Sequence, residues 1–408
     1  MQTPRFSIPA FVLGTSLTLA ASACGSSSGS AASAPADLGD AALTPTNPGA
    51  PDGSTDGSVS GDCAAKLLAS PDDLSAKGPW AVGAKHATVG SLSVEIWYPA
   101  DAAAAAGKSK LQYDIRQDLP PDQGAKISDS ANPYQPCDDC FRDLPIDESH
   151  GPYPLVVFIH GTAGFKTQNL DNMVHWASRG FVVMAANHPG LSIGSFVGGA
   201  GGAQDLTGDV QAEIAAMSGA QGDLAMFAGR VDATRIGLAG HSAGGSGVAQ
   251  MGDLPGVGVI VALSSGSAPA SANVRSTLFV SGQADGVVSF ANVQRGYDSA
   301  KEAKRLVGIE GVGHTGVTSL CGIKNAKGES LVTVAKDTGV LSGPLGAFAG
   351  TLFDCDKNTT PQAEAIPIVN FATAGALEET LHCRASAAGP LAAIKMKFPK
   401  VATYAAKP

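Results

Sequence analysis

Apolar runs of two kinds alternate with helical and glycine-rich stretches along most of this chain. Residues 86–89 and 92–98 alternate apolar and polar positions, which predicts the two strands of a β-hairpin. Residues 155–159 and 181–185 are continuous apolar runs, typical of strands that are buried on both faces of a sheet. A helical pattern lies between these two runs and ends at Gly180. The strand–helix–strand order predicts a right-handed parallel unit.

The same alternation continues towards the C-terminus. Further strand-like runs lie at residues 236–239, 257–263, 277–280 and 305–309. Helical patterns lie between or after them, at residues 210–227, 293–303, 340–353 and 361–382. Together these runs predict an α/β fold with a mostly parallel sheet of about eight strands and helices on both faces. The last two helices are expected to cover the sheet or its functional edge.

The first 62 residues do not follow this pattern. Residues 1–23 combine an early positive charge, an apolar core and a small-residue end, as an export signal does. The apolar core is shorter than the ~20 residues of a membrane span. The residues before Cys24 are similar to a bacterial lipoprotein cleavage box, so Cys24 is a candidate for lipidation, with simple secretion as the alternative. Residues 24–62 are rich in Gly, Ser, Ala and Pro and predict a flexible linker before one folded domain at residues 63–408.

Composition narrows the classes of partner. The 408 residues are 44% hydrophobic and 15% charged, which suits a packed globular core. With 27 Lys and Arg against 36 Asp and Glu, the net charge is −9, and no basic cluster stands out. A nucleic-acid partner is therefore excluded, since binding one requires a basic face. Membrane contact is expected only through the N-terminal lipid anchor, and the oligomeric state is left open.

The seven cysteines become an even set once Cys24 is set aside. An even set in an exported protein predicts disulfides, although six cysteines allow 15 connectivities. Close spacing favours a bond between Cys137 and Cys140, and our hypothesis for the others pairs Cys321 with Cys355 and Cys63 with Cys383. A C-x-x-C pair can also serve in redox or zinc chemistry, but no second cysteine or histidine pair lies at metal spacing. A disulfide is the better interpretation.

Candidate chemistry centres on the G-x-S-x-G sequence at residues 240–244. An apolar strand precedes Ser242 and small residues able to start a helix follow it, as in a nucleophile elbow. The glycines on either side leave space where a Cβ would clash with the tight turn. A glycine-rich turn in the core is the alternative interpretation.

A serine hydroxyl needs a base to take its proton, and the base needs an acid to orient it. Two later strands end in suitable residues: residues 277–280 lead to Asp285, and residues 306–309 lead to His314. Asp253, one strand earlier, is the alternative acid, and His241 and His160 are interpreted as structural. The order Ser242, Asp285, His314 is the order found in α/β-hydrolases.

With these residues in place, the chain resembles an α/β-hydrolase, and within that group bacterial relatives of platelet-activating-factor acetylhydrolase and dienelactone-hydrolase-like serine esterases. The resemblance rests on residues 96–99, 154–161, 187–190, 240–244, 283–285 and 313–314. True dienelactone hydrolases use a cysteine nucleophile where this chain has Ser242. The resemblance does not explain the insertion at 99–154, the loop at 190–208 or the region after Cys321.

The resemblance and the motifs together predict an exported serine carboxylesterase or lipase-like hydrolase that cleaves a small-molecule or lipid ester. His314 would act as base, Asp285 would orient it, and the backbone N–H groups of Thr162 and Ala243 would form the oxyanion hole. No metal or cofactor is implied. The alternatives are a serine peptidase or acyltransferase with the same triad, and a non-catalytic surface binding protein.

Overall fold

The apolar runs of the sequence form the middle of a ten-stranded sheet within the described part of the computed structural model, which covers residue 63 and residues 66–199, 204–301 and 303–407. The predicted signal, Cys24 and the whole predicted linker lie outside these residues. In chain order the strands are β1 (Ala81–Val89), β2 (Leu92–Ala100), β3 (Leu111–Tyr113), β4 (Gln135–Cys137), β5 (Cys140–Arg142), β6 (Tyr153–Ile159), β7 (Val182–Ala186), β8 (Val231–His241), β9 (Val257–Leu263), β10 (Ser276–Gly282), β11 (Lys304–Ile309) and β12 (Val401–Lys407).

The strand order of the large sheet is β12-β11-β10-β9-β8-β6-β7-β2-β1-β5, and β3 pairs with β4 in a separate small sheet. Strands β7, β6, β8, β9, β10 and β11 run parallel to one another. The predicted hairpin is confirmed as β1 and β2, which are antiparallel and continue the sheet beside β7. The mostly parallel sheet is thus confirmed.

The predicted number of eight strands is too low by the two edge strands. Strand β5 has only three residues, and it joins one edge by pairing with β1. Strand β12 is antiparallel to β11 at the opposite edge, and most of its residues are partly or fully exposed. Neither segment is a continuous apolar run, because an edge strand does not need to be buried on both faces.

Helices pack on both faces of the sheet, as predicted. They are α1 (Pro121–Gly124), α2 (Leu170–Ser178), α3 (Ile193–Val197), α4 (Leu206–Gly219), α5 (Ala243–Val248), α6 (Phe290–Ser299), α7 (Leu331–Asp337), α8 (Gly343–Leu352), α9 (Gln362–Leu381), α10 (Ala388–Ala392) and α11 (Ile394–Lys397). Successive residues of β6 face opposite layers: Val156 and Phe158 pack with α2 and α9, whereas Leu155 and Val157 pack with α4. In the described residues, no helix combines the length and apolar character that crossing a membrane requires.

The six cysteines of the described residues lie in the three pairs that the sequence analysis favours. Cys137 and Cys140 have Cα atoms 5.5 Å apart, Cys321 and Cys355 5.4 Å, and Cys63 and Cys383 5.9 Å. The Cys63–Cys383 pair joins the start of the described chain to the residues that follow α9. The Cys321–Cys355 pair joins two ends of the segment that contains α7 and α8.

Candidate active site

Strand β8 ends in a sharp turn at Ser242, and α5 begins at the next residue. Ser242 has φ 54° and ψ −116°, in the left-handed region that costs a residue with a Cβ roughly 1–3 kcal/mol. A Cβ on Gly240 would lie 2.4 Å from the carbonyl group of Gly244, and one on Gly244 would lie 2.2 Å from the carbonyl oxygen of Ile159. Both positions therefore require glycine, and the predicted strand–turn–helix elbow is present.

A buried acid–base pair stands on the two loops that follow β10 and β11. The Nδ1 atom of His314 lies 2.9 Å from Oδ2 of Asp285, and both side chains are fully buried. The other carboxylate oxygen of Asp285 accepts hydrogen bonds from the backbone N–H groups of Val287 and Val288, each at 2.8 Å. Because the carboxylate accepts, Nδ1 of His314 carries the proton and Nε2 is free to act as a base.

The elbow contacts the backbone of His314 through the side chain of His241. Nε2 of His241, the residue before Ser242, donates to the carbonyl oxygen of His314 at 3.0 Å, and Oγ of Ser264 donates to the same oxygen at 3.2 Å. The rings of His241 and His314 are 4.8 Å apart between centroids. Among the described residues, Nε2 of His314 is buried and has no hydrogen-bond partner, and the Ser242 hydroxyl donates none to it. Such contacts often tighten only when substrate is bound.

His241, which the sequence analysis interprets as structural, lies beside His314. Burial lowers the pKa of His241 to about 3, and the neighbouring His314 adds to the effect. A neutral His241 can donate from Nε2 and so holds the His314 backbone in place.

The loop after β6 approaches the serine from the other side. A Cβ on Gly161 would lie 2.7 Å from Nδ1 of His241 and 3.4 Å from Cβ of Ser242, so glycine allows the loop to approach the elbow this closely. The loop is held by a hydrogen bond from the Gly161 N–H to Oε1 of Gln168 at 3.1 Å. Among the described residues, the N–H groups of Thr162 and Ala243 donate to no other group. Both N–H groups can therefore donate to a further group.

A second histidine–aspartate pair lies beneath the same loop. Nδ1 of His188 is 2.9 Å from Oδ2 of Asp209 on α4, so His188 has an acid partner that the sequence analysis did not assign to it. The neighbouring His160 accepts from the His188 N–H and contacts the Gly161 carbonyl oxygen, which braces the loop. Burial, with His188 nearby, lowers the pKa of His160 to about 3.

Asp354 is a site residue that sequence reasoning missed. Its buried carboxylate accepts hydrogen bonds from the backbone N–H of His314 at 2.7 Å, and from the backbone N–H and hydroxyl of Thr315 at 3.0 and 3.2 Å. Oδ1 of Asn358 accepts from the Gly313 N–H at 2.6 Å. The segment after α8 therefore fixes the loop that carries His314. No local motif marks Asp354, because it lies 40 residues away in sequence.

The other candidate acid is not brought to this site. Asp253 accepts a hydrogen bond from the Ser271 hydroxyl instead. Within the described part of the chain, no group of three or more His, Cys, Asp or Glu side chains is arranged to hold a metal ion.

Comparisons with known proteins agree with this architecture. The family model described as platelet-activating factor acetylhydrolase, isoform II, matches residues 137–194, which include β6, the Gly161 loop and β7. A solved structure of a ferulic acid esterase from Streptomyces cinnamoneus superposes with a TM-score of 0.51 at 18% identity, covering 76% of this chain and 93% of the esterase. No curated protein sequence matches significantly.

This chain has an α/β-hydrolase fold. The match covers 93% of the esterase, and at 18% sequence identity it shows similarity of fold alone. The similarity to the acetylhydrolase family is confined to one segment, which contains the Gly161 loop but not Ser242, Asp285 or His314. The α/β-hydrolase fold and the likeness to the acetylhydrolase family agree with the resemblance inferred from the motifs.

Proposed function

We propose that this chain is a serine esterase that cleaves carboxylic esters through an acyl-enzyme. The observation that carries the proposal is the strained elbow at Ser242, which contacts the buried His314–Asp285 pair through the neighbouring residue His241. The names of the similar proteins, an acetylhydrolase and an esterase, support ester hydrolysis as the reaction class.

In the proposed reaction, Nε2 of His314 takes the proton of the Ser242 hydroxyl as Oγ attacks the ester carbonyl carbon. Asp285 keeps the imidazole in the required tautomer and stabilises its positive charge. The carbonyl oxygen becomes an anion that accepts from the N–H groups of Thr162 and Ala243, one such donor being worth roughly 10²–10³ in rate.

When the carbon–oxygen bond breaks, Nε2 of His314 returns the proton to the departing alkoxide and an acyl group stays on Ser242. Water then attacks the acyl carbon while the same Nε2 takes a proton from it. Collapse of the second intermediate releases the acid and restores the serine hydroxyl. Every proton in the cycle passes through one nitrogen, the buried Nε2 that has no hydrogen-bond partner among the described residues.

The test is covalent labelling of the purified protein by a fluorophosphonate together with hydrolysis of 4-nitrophenyl acetate. Ser242→Ala should abolish both signals. Ser246→Ala is the matched control, since its hydroxyl lies on α5 and bonds to the hydroxyls of Ser265 and Ser267. Labelling or turnover that survives Ser242→Ala would reject the proposal.

The two histidine–aspartate pairs provide a second, independent comparison. His314→Gln should abolish labelling of Ser242, whereas His188→Gln should leave a labelled protein wherever thermal melting shows that it folds. Loss of labelling in a folded His188→Gln variant, with labelling kept in His314→Gln, would show that the base is His188 and not His314. Turnover of peptide or acyl-acceptor substrates in preference to esters would favour the peptidase or acyltransferase alternative.

We also propose that the protein is exported, with a signal at residues 1–23 and lipidation at Cys24. Three cysteine pairs at disulfide distance support an oxidising compartment. Metabolic labelling with a fatty acid should mark the wild type and not Cys24→Ala. An unlabelled but secreted wild type would favour simple secretion.

A further inference from the structure

A cavity of about 380 Å³ lies among segments that the resemblance to α/β-hydrolases leaves unexplained. Its walls come from the insertion at residues 99–154, from α3 in the loop at 190–208, and from the region after Cys321. Each of these segments contributes aliphatic side chains, namely Ile115 and Leu119, Ile193, and Leu331 and Val334. Three separate departures from the family pattern therefore form one enclosure.

One wall of the cavity belongs to the candidate oxyanion loop. Ala163 lines the cavity and directly follows Thr162, whose N–H is proposed to bind the oxyanion. The Ala163 N–H donates to the Leu191 carbonyl oxygen at 2.8 Å, and the Ile193 N–H donates to the Gly164 carbonyl oxygen at 2.8 Å. Helix α3 is thereby attached to the oxyanion loop and forms the adjoining wall.

The opposite wall belongs to the segment that holds the base. Cys355 lines the cavity, and its sulfur lies 3.6 Å from the hydroxyl of Thr315, the residue after His314. Asn325, in the same C-terminal region, donates to the Ala131 carbonyl oxygen of the insertion at 3.1 Å. Residues that line the cavity therefore adjoin both of the loops that the proposed reaction uses.

The lining selects an apolar ligand. Most of the lining residues are aliphatic, and they belong to two small apolar clusters distinct from the main core. The guanidinium of Arg116, which also lines the cavity, is paired with Asp114 and Asp129 at 2.6 and 2.7 Å. The other charged lining residues, Lys336 and Asp356, are exposed to solvent. A charged head group would find no buried partner here, whereas a hydrocarbon chain would leave water on entering.

We propose that this cavity binds the apolar chain of the substrate, and that the enzyme prefers esters whose chain is longer than acetyl. The inference rests on the proposed function, because the cavity adjoins the loops of that same site. The hydrocarbon can come from the acyl or the alcohol side of the ester, and the cavity chemistry is the same for both.

The test compares chain-length preference in variants that change the volume of the cavity. Leu331→Trp fills it from α7, and Ile193→Ala enlarges it from α3. Leu68→Trp is the matched control, because Leu68 is 38% exposed and does not line the cavity. Values of kcat/KM are measured for 4-nitrophenyl acetate and octanoate on the acyl side, and for ethyl and octyl acetate on the alcohol side.

The wild type should prefer the longer chain on one side. In that series Leu331→Trp should lower the ratio of long-chain to short-chain kcat/KM by about tenfold or more, as misfit in an apolar pocket does. Ile193→Ala should move the preference towards longer chains, and Leu68→Trp should leave the ratio as in the wild type. An unchanged ratio in both cavity variants, with fluorophosphonate labelling intact, would overturn the cavity proposal and leave the esterase proposal standing.

If the protein proves to have no esterase activity, the cavity is still tested by calorimetric binding of octanoic acid. Binding that is lost in Leu331→Trp and kept in Leu68→Trp supports the apolar site. Absence of binding to the wild type overturns it.

Discussion

Replacing Asp354 by Asn should impair catalysis more than it impairs folding. The carboxylate of Asp354 touches neither Ser242 nor the proposed oxyanion donors, but it accepts three hydrogen bonds from His314 and Thr315. Asn has the same shape and keeps one oxygen, but presents an NH₂ group in place of the other. Asp354 is therefore a positioning residue, and the substitution changes its hydrogen bonding with little change in volume.

The size of the effect follows from the geometry. If the amide oxygen faces Thr315, the NH₂ group meets the His314 N–H, which Oδ2 of Asp354 accepts at 2.7 Å in the wild type. If the amide is flipped, the NH₂ group meets the Thr315 N–H instead. Either way one buried backbone N–H loses its acceptor, at a cost of about 1–3 kcal/mol. The loop can relieve that cost by moving His314, and each 1.36 kcal/mol of lost transition-state stabilisation lowers the rate about tenfold.

The assay is the full pH profile of kcat and KM for 4-nitrophenyl acetate, with thermal melting measured on the same samples. We expect kcat to fall by about 10–100-fold with a small change in KM, because the base and not the binding surface is displaced. Thr315→Val, which removes only the hydroxyl contact at 3.2 Å, should have a smaller effect. Asp223→Asn, at an exposed position, is the matched control for the substitution itself.

One result would refute this reasoning. If Asp354→Asn melts at a lower temperature but retains wild-type kcat and the wild-type pH profile, Asp354 stabilises the fold without positioning the base. A change confined to KM would also count against it, since that would place the effect on substrate binding.

Three further predictions concern buried groups and the elbow. Burial, with Asp209 nearby, raises the pKa of Glu213 well above its usual range. The folded protein therefore keeps a proton that the unfolded chain releases, and its stability falls as pH rises above about 4.5. Glu213→Gln should raise the melting temperature more at pH 8 than at pH 5, and an equal rise at both pH values would contradict this. Burial lowers the pKa of His175 to about 4, with Arg179 adding to the effect. The stability that this gives above pH 6.5 should be lost on acidification, by roughly 2 kcal/mol between pH 7 and pH 5. His175→Gln should make the melting temperature less dependent on pH in that range, and an unaltered pH dependence would contradict this prediction. A Cβ on Gly244 would lie 2.2 Å from the Ile159 carbonyl oxygen, whereas one on Gly219 would meet nothing within 4 Å. Gly244→Ala should therefore abolish fluorophosphonate labelling, and Gly219→Ala should not. Normal labelling of both variants would mean that the elbow tolerates a side chain at residue 244.

The central strands could be predicted because a strand that is buried on both faces is a continuous apolar run in the sequence. In each of the eight predicted strands, burial requires an apolar side chain at every position or at every second position. All eight strands are present. The same local reasoning selected Ser242, Asp285 and His314 as candidates, since each lies at or soon after the end of a strand of the parallel sheet, and the carboxyl ends of such strands meet at one edge.

The supporting groups could not be predicted in this way. Gln168, just before α2, holds the Gly161 loop, and Asp354, beyond α8, holds the His314 loop. Both side chains accept hydrogen bonds from backbone N–H groups, which every residue except proline carries. The residue types of the partners therefore do not indicate that such a contact exists. The sequence does not predict the His188–Asp209 pair, because Asp209 lies on a helix and not at the end of a strand.

The insertion and the C-terminal segments illustrate why the cavity walls escape a local pattern. Ile115, Phe165 and Leu320 pack in one cluster although they come from distant parts of the chain. No helical or strand period relates these three residues, because they belong to three separate segments. These residues pack together because their segments are attached to the loops that carry Thr162 and His314, and the sheet positions those loops. The sheet is therefore encoded locally, and the chain-length preference that we propose depends on contacts that exist only once the sheet has formed.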